Sequence, residues 1–309
     1  MTTALITHAD CLHHVTPEGH PEQVARLEHI LHALEPLDLK RVPAPMAAED
    51  DVLRIHPLDH LRALRSAHPG EGYTQIDGDT FMSPGTLDAA FRGAGAAVRA
   101  VDMVLGGQVQ NAFAAIRPPG HHAETETAMG FCFFGNAALA AKHALDHHGL
   151  KRVAVVDFDV HHGNGTQDLL WDEPRALFIS SQQMPLWPGS GRPDEDGAHG
   201  QIVNMPLPPE SGGTEMRAAY EGQAFPRLWA FKPELIIISA GFDAHRDDPL
   251  ASLNWSTEDF AWLTAELCVL AEELCQGRIV STLEGGYDLK ALAQATRAHV
   301  KELIKAATR

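Results

Sequence analysis

The chain has 309 residues and a mass of 33.5 kDa, with 44% apolar and 21% charged residues; this balance fits a packed core and excludes a disordered chain. Its formal charge of −17 makes it a poor partner for nucleic acid, whose phosphates need Lys and Arg, and a better one for cationic ligands. No apolar run reaches the ~18 residues of a membrane span, Met1 to His8 lack the basic start of a secretory signal, and the four cysteines (Cys11, Cys132, Cys268, Cys275) form no C-x-x-C pair, so a cytoplasmic protein without membrane, disulfide framework or cysteine-bound zinc is expected.

In chain order, short apolar runs alternate with longer helical patterns. Strands are predicted over 4–8, 39–42, 112–116, 152–159, 176–181, 202–206, 235–240 and 279–283. Several are rich in Val and Ile and apolar on both faces, as strands inside a parallel sheet are. Helices are predicted over 23–34, 84–105, 136–148, 214–231, 257–276 and 289–307, the second with Ser83 as its cap and Pro84 in its first turn. The alternation implies an α/β fold with a mostly parallel sheet. No repeat, charge block or flexible linker divides the chain, so residues 1–309 read as a single domain. One loop, 184–200, is long enough to suggest a function of its own.

Ligands of parallel sheets bind at the carboxyl ends of strands, and four predicted strands end in reactive residues. The first runs into Arg117-Pro-Pro-Gly-His121-His122, two adjacent imidazoles on a rigid turn. Alone, they read equally well as surface histidines. The second is Asp157-Phe-Asp159-Val-His161-His162-Gly-Asn164-Gly. Strand alternation puts Asp157, Asp159 and His161 on one side and turns His162 away. Buried carboxylates need a partner or a metal, and an Asp-x-His pair can offer both donors to one ion. A helix cap would account for one of these acids, not for the run. The third strand ends in Gly241-Phe-Asp243, a third ligand that leaves coordination positions open. The fourth ends in Glu284-Gly-Gly-Tyr287, whose phenol can donate to a developing oxyanion.

Taken together, these motifs resemble the signature set of the zinc-dependent histone deacetylase family, which includes bacterial deacetylase-like amidohydrolases, acetylpolyamine amidohydrolases and acetoin-utilisation proteins. They occur in the family's order over nearly the whole chain. The resemblance implies the arginase/deacetylase fold, an eight-stranded parallel sheet between helices. It implies that Asp159, His161 and Asp243 hold zinc, although an Asp₂His set accepts ferrous iron as well. His121 and His122 match the tandem histidines, Asp157 the carboxylate that orients the first, and Asn164 the partner of the second, where many members carry Asp and the class II branch carries Asn. Tyr287 matches the transition-state tyrosine. Gly130, Phe131 and Cys132, with Leu186, Trp187, Pro188 and Gly189, match the walls of an acyl-lysine tunnel, and Leu250 its rim. The backbone carbonyls of Asp157, Asp159 and His161, with Ser180, match a potassium site. Arg26 resembles the basic residue of an internal product channel.

The implied activity is hydrolysis of acyl, above all acetyl, groups from amines. Acetyl-lysine, an acetylated polyamine and a small acylated metabolite all present an amide on an apolar stem. Leu250 stands where acetylpolyamine-specific relatives carry an acid, and 309 residues leave little room for the insertion that narrows their entrance. No acid that grips the substrate backbone, as in peptide deacetylases, is singled out: the stretch Asp77-Gly-Asp79-Thr-Phe-Met82-Ser-Pro84 has acids, but Met82 sits immediately before Ser-Pro. An arginase-like binuclear hydrolase would need further bridging carboxylates, and a non-catalytic acyl-amine sensor would not need both tandem histidines and Tyr287. The resemblance also admits a homo-oligomer. Of 19 histidines, only His121, His122 and His161 are read as chemical; the rest, the His147-His148 pair among them, are read as surface, capping or core residues.

Overall fold

All eight predicted apolar runs form strands in a computed structural model, described here over residues 1–308. In chain order the strands are β1 (Thr3–Thr7), β2 (Lys40–Pro43), β3 (Thr74–Gln75), β4 (Phe81–Met82), β5 (Asn111–Ala114), β6 (Val153–Asp157), β7 (Ala176–Gln183), β8 (Ile202–Leu207), β9 (Leu235–Ala240) and β10 (Ile279–Leu283). Eight of them form one sheet in the order β2-β1-β5-β10-β9-β6-β7-β8, and every pairing is parallel. β3 and β4 form a separate antiparallel ribbon.

Burial follows position in the sheet. Every residue of β5, β6, β7, β9 and β10 is buried, whereas the edge strand β2 is largely exposed. Strands buried on both faces need cover on both. One group of helices, Thr86–Leu105 and Asn136–Asp146, supplies part of it; a second group, Ala25–Leu34, Thr257–Cys275 and Leu289–Ala307, supplies more. Among the described residues no helix is long and apolar enough to cross a membrane.

Several boundaries differ from the expectation, each for a local reason. The expected strand 152–159 stops at Asp157, because Asp157 Oδ1 accepts the Asp159 N–H at 3.1 Å and turns the chain out of the sheet. The helix expected from Pro84 starts at Thr86. Ser83 is not its cap: its hydroxyl accepts the Val15 N–H, and Thr86 Oγ1 accepts the Ser83 N–H at 2.8 Å. The helix expected over 214–231 is broken by a π-turn at Tyr220–Ala224, where the Tyr220 hydroxyl meets Ser181 Oγ at 2.8 Å. Helices at Glu49–Val52, Leu58–Ala67 and Asn164–Leu170 escaped the sequence reading; the first and last are too short to show an apolar period, whereas Leu58, Leu61 and Leu64 in the second do repeat on one face.

The topology has one functional consequence. The strands that end in the four reactive motifs are β5, β10, β9 and β6, and these are the four central neighbours of the sheet. Motifs far apart in sequence therefore leave the sheet side by side.

Candidate active site

Beyond β6, three short hydrogen bonds shape the chain. The Asp159 N–H donates to Asp157 Oδ1, the His161 N–H to Asp159 Oδ1 at 2.9 Å, and the Val160 N–H to Asp243 Oδ1 at 2.8 Å. Side-chain acceptors thus take over from the sheet ladder and hold Asp159, His161 and Asp243 in one cluster. His161 Nδ1 lies 3.2 Å from Asp159 Oδ1 and 3.1 Å from Asp243 Oδ2, and one donor atom from each of the three side chains lies within 4.8 Å of the others. Gly241 and Gly285 line this cradle. A Cβ at Gly285 would collide with both the Asp243 and the Asp159 carboxylates, and one at Gly241 with Asp159. The Gly285 N–H also donates to Asp159 Oδ2 at 2.8 Å.

The electrostatics are those of a cation site. Burial, joined by the neighbouring Asp159 charge, pushes the Asp243 carboxyl up to about 7. Burial alone would lower the His161 imidazole, but its contacts with Asp159 and Asp243 overcome this and raise it to about 10. Two carboxylates and an imidazole with this geometry suit a divalent ion with open positions.

The tandem histidines lie beside the cluster with different partners. His121 Nδ1 is 3.0 Å from Asp157 Oδ2, and its Nε2 is 3.7 Å from Asp159 Oδ2. Burial opposes its protonation, yet Asp159 and Asp157 hold the imidazole well above its ordinary value. His122 Nδ1 is 2.7 Å from Asn164 Oδ1, while Asn164 Nδ2 donates to Glu124 Oε1 at 2.7 Å. That second bond fixes the amide, so Asn164 offers His122 only an acceptor. His122 therefore carries its proton on Nδ1 and leaves Nε2 open as a base. Burial, and then the positive His121 and His161, hold His122 well below the ordinary value.

Above this floor, a pocket is lined by His122, His161, Tyr287, Gly130, Phe131, Leu186, Trp187, Leu250 and Asp79. Phe131 stands 5.9 Å from Tyr287, and Trp187 meets the His122 ring edge-on at 4.7 Å. Gly130 has φ +55°, and a Cβ there would meet both the His122 and Trp187 rings at 2.6 Å, so glycine is required. Of the expected walls, Gly130, Phe131, Leu186 and Trp187 line this pocket together with the rim residue Leu250, whereas Cys132, Pro188 and Gly189 are not among its lining residues. The long loop 184–200 brings Leu186 and Trp187 to it. His162 points elsewhere, to Ser190 Oγ at 2.8 Å and Gln167 Oε1 at 3.1 Å.

The other expected residues lie behind the pocket. Ser180 pairs with Asp157 in the β6–β7 register, and its buried Oγ has no hydrogen-bond partner. Arg26 is fully buried behind Tyr287, its guanidinium 4.8 Å from the ring centroid. It donates to the Gly286 carbonyl at 2.6 Å and the Glu284 carbonyl at 2.5 Å, and pairs with Glu22 at 2.8 Å.

Three acids escaped assignment from sequence. Asp79 lines the pocket. Glu284 accepts the N–H groups of Gly120 and His121, at 2.7 and 3.0 Å, and so fixes the tandem-histidine turn. Asp248 accepts the N–H groups of Tyr287, at 2.6 Å, and Leu250, at 3.0 Å, and joins catalytic floor to rim. Glu284 stood inside the quoted Glu284-Gly-Gly-Tyr287 run and could have been singled out there. Asp248 stood in an Asp-Asp-Pro segment that reads as surface.

Comparison with known proteins shows the family and the fold. The model of the histone deacetylase domain matches residues 20–303. The chain is 40% identical over 301 residues to a rice (Oryza sativa subsp. japonica) protein named histone deacetylase 10, chloroplastic, covering 90% of this chain and 68% of that one. It is also 40% identical over 248 residues to the histone deacetylase-like amidohydrolase of Pseudomonas aeruginosa, covering 79% of this chain and 65% of the relative. The solved structure of the HDA15 HD domain superposes with a TM-score of 0.92 at 33% identity, covering 99% of this chain and 89% of that one. With the motif-bearing strands adjacent and their side chains converged on one pocket, the chain belongs to the histone deacetylase family and is an enzyme of its hydrolytic, deacylating kind.

Proposed function

We propose that the chain is a zinc-dependent amidohydrolase that removes acetyl or related acyl groups from amines carried on an aliphatic stem, in a single catalytic domain. The observation that carries this reading is the shared pocket: His122, Tyr287 and His161 line a slot walled by Phe131 and Trp187, and Asp159 and Asp243 stand directly against His161. Asp159, His161 and Asp243 would hold the metal, and the cradle fits, because Gly241 and Gly285 leave room where any Cβ would collide. Bound there, Zn²⁺ supplies Lewis acidity to the acyl oxygen and to an attacking water; Fe²⁺ is the alternative occupant of the same donor set.

The chain's own groups do the rest. His122, with Nε2 unprotonated, takes the proton of the attacking water and later delivers it to the leaving amine. His121, held by Asp157, keeps positive charge beside the developing anion. The Tyr287 hydroxyl donates to the oxyanion. Burial raises this phenol well above its ordinary value despite Arg26, so it stays protonated and able to donate. Phe131 and Trp187 flank the aliphatic stem, Gly130 lets them approach, and Leu250 forms the rim. K⁺ suits the backbone carbonyls at Asp157, Asp159 and His161, and the unpartnered Ser180 Oγ is a fitting fourth oxygen.

Acetyl-lysine side chains are the substrates this slot fits best. Asp79 at the pocket favours a second class, acylated polyamines, whose free ammonium it could meet. Cys11, Cys132 and Cys275 are buried free thiols, which suits a reducing, cytoplasmic setting. The test is acetate release from an acetyl-lysine peptide, N-acetylputrescine and longer acyl-lysines by zinc-loaded protein. Turnover on the peptide supports the reading, and turnover on none of the panel overturns it.

A further inference from the structure

A second His/Asp cluster lies at the far end of the helix Asn136–Asp146. This helix begins beside the tandem-histidine turn, where Asn136 packs under Gly120. Its 11 residues span about 16 Å, so its far end is remote from the pocket. There, His143 and His147 sit one turn apart with stacked rings, 4.7 Å between centroids and 10° between planes. His148 follows, and Gly149 (φ +73°) turns the chain back. Asp102 reaches across from the helix Thr86–Leu105. One donor atom from each of Asp102, His143, His147 and His148 lies within 4.8 Å of the other three.

The hydrogen bonding of this cluster converges on a single carboxylate oxygen. His143 Nε2 and His148 Nε2 both lie 2.8 Å from the same oxygen, Asp102 Oδ1. The other nitrogen of His143, Nδ1, has no hydrogen-bond partner, although the side chain is only 4% exposed. A buried imidazole normally satisfies both nitrogens. Surface decoration explains His147, which is exposed; it does not explain a buried ring left half-bonded beside two others. Two histidines at i and i+4 on one helix face are a chelating pair, and the carbonyl end of a helix favours positive charge.

We infer that Asp102, His143, His147 and His148 form a second metal site, separate from the catalytic pocket, for a borderline divalent transition ion such as Zn²⁺. Three imidazoles and one carboxylate make a complete tetrahedral set, closed in the manner of a structural site. The ion ties Thr86–Leu105 to the end of Asn136–Asp146, two helices that pack against each other.

The test is metal counting on the full chain. Metal-free wild type and a His147→Ala/His148→Ala variant are dialysed against Zn²⁺, and bound zinc is measured per chain. Both substituted residues have solvent access, so the fold is kept, which unchanged acetate release would verify. The inference predicts two equivalents in the wild type and one in the variant, with a zinc-dependent rise in melting temperature that the variant loses in part. An Asp243→Asn variant should also bind one equivalent, held at the second site. One equivalent in the wild type with none in Asp243→Asn overturns the inference, as does a double variant that keeps two.

Discussion

The molecule carries two clusters built from the same residue types, at opposite ends of one helix layer. At the carboxyl ends of the strands, Asp159, His161 and Asp243 are buried, and each acid also accepts backbone N–H groups. At the end of Asn136–Asp146, Asp102 and His148 are half-exposed, His147 is exposed and only His143 is buried. In the first cluster the backbone fixes the acids before any ion arrives. In the second, the fixing is left to the side chains. Preorganised donors in a dry site are what electrostatic catalysis needs. A loosely held, solvent-facing set can at most bind. Both clusters draw on Asp and His, two acids and one imidazole against one acid and three imidazoles; burial and backbone anchoring separate chemistry from binding.

That contrast can be broken from either side. The largest effect is expected from Tyr287→Phe, which removes one oxyanion donor and should cost about 2–4 kcal/mol of transition-state stabilisation. It should appear in kcat, with KM nearly unchanged, in steady-state acetate release. Gly130→Ala comes next. A left-handed backbone and the His122 and Trp187 rings both oppose the methyl, so a loss of about 1–3 kcal/mol in urea unfolding and a raised KM are expected. Neither change should alter zinc binding at Asp102, His143, His147 and His148.

Asn164→Asp sharpens the account of His122. A carboxylate at 2.7 Å in place of an amide stabilises the imidazolium, so the pKa rises. The base must be unprotonated to act. The acid limb of the kcat/KM profile should therefore move to higher pH; an unmoved limb means that His122 is not the base.

A separate effect acts on stability rather than on the site, and it builds up gradually with acid. Burial holds His56 and His162 down to about 4 and His299 to about 3. Unfolding frees these imidazoles to bind protons below about 6.5. The unfolded state then binds more protons, so stability falls as the pH drops from 6.5 to about 4, by up to about 1.4 kcal/mol per pH unit for each group. Thermal melts over this range would measure it, and a flat profile would mean that these rings are protonated in the folded chain.

What the sequence revealed follows the same division. All eight strands of the main sheet were legible; uninterrupted Val/Ile runs mark buried parallel strands, and β9 and β10 were legible to the residue. Motifs at strand ends were legible because the fold rule says where they point. The reach of Asp157 to the Asp159 N–H was not, since a side-chain hydrogen bond that ends a strand leaves no periodic trace. Asp248 and Glu284 were missed for a related reason: their partners are backbone N–H groups 39 to 164 positions away. The second cluster needed His143, a histidine inside an Ala-rich helix, to be joined to the conspicuous His147-His148 pair and to an acid on another helix. Only tertiary packing brings Asp102 there.

The central claim is that the buried cluster, and not the exposed one, supports hydrolysis. The most direct measurement is acetate release from an acetyl-lysine peptide by the His147→Ala/His148→Ala variant, stripped of metal and then titrated with Zn²⁺. Activity absent from the stripped protein and fully restored by one equivalent is the predicted result. Activity that survives stripping, or that one equivalent does not restore, would contradict it.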